Sequence, residues 1–81
     1  MNHDKEYVIR LNGFDLGQVI DGLEARATAW NLTATYLETG EAPDGFVTEV
    51  CSDAEEARRL AKHYQRILDS LIQQQTEQRD K

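Results

Sequence analysis

From Leu16 onward the apolar residues fall at Leu16, Ile20, Leu23, Ala27, Trp30, Ala34 and Leu37, alternating steps of four and three without a miss. The 3.6-residue turn of an α-helix brings every member of such a series to one face, whereas a strand would scatter them over both. After a break, Ala57, Leu60, Tyr64, Ile67 and Leu71 repeat the pattern, widened by Ala54, Ala61 and Leu68. Two amphipathic helices therefore dominate the chain. With 81 residues in all, there is room for one small core.

The helix ends can be read from their caps. At the start of the first helix, Asn12 caps with Asp15 three residues on and Leu11 packs on Leu16; alternatively, Asp15 caps with Gln18 and Phe14 packs on Val19. Gly40 suits the residue just past a helix and Pro43 blocks continuation, so the first helix is expected over 13–39. Ser52-Asp53-Ala54-Glu55 has the S-x-x-E form of a capping box and opens a second helix, expected over 53–75. Residues 76–81 carry no apolar side chain and are expected to fray. Tyr7-Val8-Ile9-Arg10-Leu11 is β-branched and aromatic, which predicts a strand over 6–11 ending at Asn12-Gly13. Pro43-Asp44-Gly45 marks a turn, and residues 46–50 have the composition of a brief second strand.

The expected architecture is mainly α, an antiparallel two-helix hairpin with a short amino-terminal strand. Its register sets Leu37 near Ala54, Ala34 near Ala57, Trp30 near Leu60 and Ala61, Ala27 near Tyr64, Leu23 near Ile67 and Leu68, and Ile20 near Leu71. Large residues face small ones, as an interdigitated core requires. Gly22, Ala25, Ala29, Leu32 and Tyr36 form another apolar stripe on the far side of the first helix, which a lone hairpin leaves in water. A second copy would cover it, giving a homodimeric four-helix bundle. The two strand segments lie at opposite ends of a helix roughly 36 Å long and cannot pair within one chain. An antiparallel dimer would bring them together between chains.

Acids outnumber bases 15 to 9, a net charge of −6 that repels phosphate backbones, so no nucleic-acid partner is expected. A lone Cys51 forms neither an internal disulfide nor a zinc cluster, which fits a reducing, cytoplasmic compartment. The polar amino end leads into an apolar run too short for a signal segment or membrane span. Asn31-Leu32-Thr33 matches a glycosylation sequon but lies inside the first helix.

Asp21 with Glu24, and Asp53 with Glu56, are spaced i,i+3, an arrangement that loosely resembles the paired acidic motifs of helical nucleotide pyrophosphohydrolases. The hairpin register opposes a shared metal, because the two pairs stand roughly 16 Å apart along the axis. An EF-hand frame from Glu38 to Glu49 fails at Gly40, Ala42 and Pro43. Cys51 and His63 are separated by ~15 Å of helix, too far for a nucleophile and its base. Arg58, Arg59, Lys62 and Arg66 form a basic face without interleaved aromatics, which reads as solvated surface. No catalytic residue, cofactor or metal site is expected.

The phrases Ala29-Trp30 through Thr39-Gly40 and Cys51-Ser52-Asp53-Ala54-Glu55-Glu56-Ala57-Arg58 resemble those of short bacterial or mobile-element proteins, a likeness that implies no activity. The expectation that follows is a non-enzymatic homodimeric interaction module, regulatory or mobile-element-associated, that presents surface to a protein partner. Two alternatives stand beside it: a small acidic inhibitor or nucleic-acid mimic, and a metal-dependent enzyme whose site forms across a dimer interface through Asp21 or Glu24.

Overall fold

The computed structural model describes residues 3–45 and 48–79. Two helices, α1 (Gly13–Thr39) and α2 (Ala54–Arg79), pack against each other as a hairpin, and the described residues contain no strand.

α1 starts in the Asn12 frame. The Asn12 backbone is extended, and its Oδ1 accepts the Asp15 N–H at 2.8 Å. Asp15 then lies in the first turn, where its charge complements the helix dipole instead of capping. At the other end Gly40 takes φ 80°, a left-handed conformation that glycine adopts without steric penalty, and donates its N–H to the Tyr36 carbonyl at 2.7 Å.

The capping box of α2 sits one residue later than its sequence form indicates. Asp53, not Ser52, is the cap: its Oδ1 accepts the Glu56 N–H at 2.8 Å, and the Glu56 carboxylate accepts the Ser52 N–H at 3.3 Å. Aspartate caps as well as serine, and this frame keeps Glu55 and Glu56 in the first turn. α2 also runs to Arg79 instead of stopping where the apolar residues do. Side-chain bonds one turn apart, Gln74 to Ser70 at 3.0 Å and Gln73 to Glu77 at 3.2 Å, support this polar stretch.

Where the helices meet, Trp30, Ala34, Ala57 and Ala61 form the core, with Cys51, Ala54, Leu60 and Tyr64 packed around them. Ala27 and Leu68 are buried further along, while Leu16, Ile20, Leu23, Ile67 and Leu71 are half-buried. Leu37, expected in the core, is instead 44% exposed, near the carboxy end of α1. Alanine supplies most of the buried positions, so the helices approach closely but enclose little apolar volume. Trp30 is the large exception, and its indole Nε1 meets no acceptor among the described residues.

The expected amino-terminal strand is not formed. Residues 5–12 have no regular structure, and residues 5–11 exchange no backbone hydrogen bond with the described backbone, since a single chain offers them no ladder partner. Of the expected strand 46–50, residues 46 and 47 lie outside the described residues and 48–50 are irregular. The molecule measures 47 × 31 × 17 Å, with a radius of gyration of 15.3 Å. A compact chain of this length has about 12 Å.

Candidate functional site

The connection between the helices is anchored on α1. The Glu49 amide donates to the Thr33 hydroxyl at 3.1 Å, and the Glu49 carboxylate accepts from Arg26 Nη1 at 2.6 Å. The Arg26 guanidinium in turn lies 5.7 Å from the Trp30 ring centre and 5.8 Å from that of Tyr64, one aromatic from each helix. Thr33, which belongs to neither apolar stripe, is thereby fully buried. Earlier in the connection, Gly45 borders a cleft shared with Asp21, Glu24, Ala25, Thr28, Ala29 and Leu32.

This placement changes the reading of the second α1 stripe. Gly22, Ala25 and Tyr36 are exposed, but Ala29 and Leu32 are half-buried on the side that Gly45 borders. The far face is thus partly occupied by the protein's own connection, which the helical period of α1 gave no means of foreseeing. Its amino-terminal half stays open. Phe14, 74% exposed, stands eleven residues before Ala25 and eighteen before Leu32, spacings that return to the same line on a helix. It extends the stripe to the start of α1.

Most of the large apolar side chains left in water gather at this open end of the hairpin. Tyr7, Val8, Ile9 and Leu11 lie on the extended arm, Phe14 and Val19 on α1, and Ile72 on the facing part of α2. The arm borders a cleft with Leu16 of α1 and Leu71, Gln74, Gln75 and Gln78 of α2. Lys5 Nζ lies 5.5 Å from the Tyr7 ring centre, the i,i+2 relation of side chains on one side of an extended backbone.

The polar candidates do not converge. Asp53 and Glu56 are engaged in capping α2, while Asp21 and Glu24 stand on α1 beside the Gly45 cleft. Among the described residues, no group of three or more His, Cys, Asp or Glu side chains could hold a metal ion. Cys51, half-buried against the core, donates its thiol to the Asp53 carbonyl at 3.6 Å. His63 instead accepts from Arg66 at its Nδ1 (3.1 Å) and meets the Tyr64 ring edge-on at 6.2 Å. On the basic face, Arg58 is held by Glu38 at 2.5 Å; Arg59 and Lys62 share a shallow cleft with Glu38 and Glu55.

No helix among the described residues is long and apolar enough to cross a membrane. Comparison with protein-family models, curated proteins and solved structures finds no significant match.

Proposed function

We propose that this chain is a non-enzymatic, homodimeric helical interaction module in which two hairpins join through the open amino-terminal half of α1. The second face of α1, entered at Phe14 and continued by Gly22 and Ala25, supplies the contact between helices and yields a four-helix bundle. The lone, half-buried Cys51 fits a cytosolic setting.

One observation carries this reading. The chain exposes 6627 Å², whereas a folded monomer of 9.3 kDa exposes about 5,000 Å². The excess, roughly 1,600 Å² per chain, belongs to an elongated hairpin with an unpacked arm, and it leaves ample surface for the roughly 800 Å² that one partner contributes to a standard-sized interface. It coincides with an inverted distribution of side chains, alanines inside and several of the largest apolar residues outside. Burial of apolar surface favours association by about 25 cal/mol per Å² before the entropy of association is subtracted.

The test is the double variant Phe14→Glu, Ala25→Glu, which places charge on the open half of the face and avoids Ala29 beside the connection. The wild type is expected at twice the chain mass and the variant at the chain mass, with equal helicity by circular dichroism. A variant that keeps the dimer mass contradicts the proposed face.

A further inference from the structure

We infer that residues 5–11 of two chains pair with each other as an antiparallel two-stranded ribbon centred on Val8, joining the amino ends of the two α1 helices. This rests on the homodimer reading and specifies its contact. The arm has the attributes of a strand without a neighbour: no backbone bond to the described backbone, β-branched and aromatic side chains, and 92% exposure at Val8. An edge of this kind invites pairing with another chain.

The occupant follows from charge and symmetry. A two-fold axis perpendicular to the ribbon keeps each side chain on its own face, so facing residues must differ by an even number of positions. Only registers centred on a residue are then allowed. With Val8 on the axis, Glu6 faces Arg10 of the other copy and Tyr7 faces Ile9, each relation occurring twice, and Lys5 faces Leu11 only at the two ends of the ribbon. Opposite charges and aromatic with β-branched pairs are the favourable cross-strand combinations. Centring on Tyr7 sets Glu6 against Val8 and Lys5 against Ile9, and centring on Ile9 sets Val8 against Arg10. Both oppose charge to hydrocarbon at the pairs next to the axis, where the Val8 register sets aromatic against β-branched side chains. Neither Glu6 nor Arg10 belongs to an ion pair among the described residues, so both are available to the partner.

Two measurements test the ribbon. In the first, Glu6→Arg and Arg10→Glu are made singly and together. Each single change places like charges opposite each other twice and should raise the dimer dissociation constant about tenfold or more. The double exchange should return it close to the wild-type value. In the second, Val8→Cys, Tyr7→Cys and Ile9→Cys are each introduced into a Cys51→Ser chain and mildly oxidised. Directly facing Cβ atoms lie within reach of a disulfide and diagonal ones do not, so Val8→Cys should cross-link at least about tenfold faster than the others. A dimer indifferent to the charge exchanges, with no preference for position 8, overturns the ribbon and leaves the homodimer reading intact. A wild-type monomer with no cross-linking at position 8 overturns both.

Discussion

Thr33 shows what the order of residues along a helix conceals. It sits between the two apolar stripes of α1 and would pass for surface, yet it is fully buried, and its hydroxyl accepts the Glu49 amide N–H. Thr33→Val keeps the shape and strands that amide, so a loss of about 1–3 kcal/mol is expected in chemical unfolding followed by Trp30 emission. Unchanged stability would remove the hydroxyl from the account. The capping residues offer a second check at this scale. Asp53→Ala should cost about 1 kcal/mol and Ser52→Ala much less, since only the Asp53 side chain accepts from α2. The reverse order would restore the frame that S-x-x-E suggests. Trp30→Ala removes the largest of the buried side chains and should cost about 3–5 kcal/mol, enough to abolish cooperative unfolding of so small a core.

At the scale of elements, α1 was legible in its unbroken stripe and in its end at Gly40, which turns left-handed, while its start lay open between Asn12 and Asp15 until the Asn12 side chain was seen to cap. The matched stripes also foretold that Trp30 and Ala34 would cluster with Ala57 and Ala61. The connection was not legible. Residues 40–53 have no period, and their placement depends on Glu49 finding Arg26 and Thr33, contacts separated by 23 and 16 positions. The last turns of α2 were missed for a different reason, since polar side chains bonding along a helix leave no hydrophobic pattern. The anchoring of the connection is open to test. The Arg26–Glu49 pair is partly exposed and worth about 0.2–1 kcal/mol. Arg26→Met, which keeps apolar bulk beside Trp30 and Tyr64, should speed amide exchange at 48–50 while leaving the middle of α1 unchanged. Exchange that is unaltered at 48–50 would mean that Thr33 alone holds the connection.

For the whole molecule, the decisive fact is the mismatch between a small alanine-rich core and a large apolar surface. Sequence periodicity left the whole second face of a lone hairpin in water for a second copy to cover, because it took no account of a connection that borders Ala29 and Leu32. It also expected a strand at residues 7–11, whose composition is right but whose ladder needs a neighbour that one hairpin does not contain. Both departures shift the proposed contact to the open end, where Phe14 and the arm lie. In the proposed dimer this hairpin is half of an assembly. Its most direct test is the solution mass of the wild-type chain by light scattering from low to high micromolar concentration. A dimer gives twice 9.3 kDa across the upper part of that range. A mass of 9.3 kDa at every concentration would contradict it.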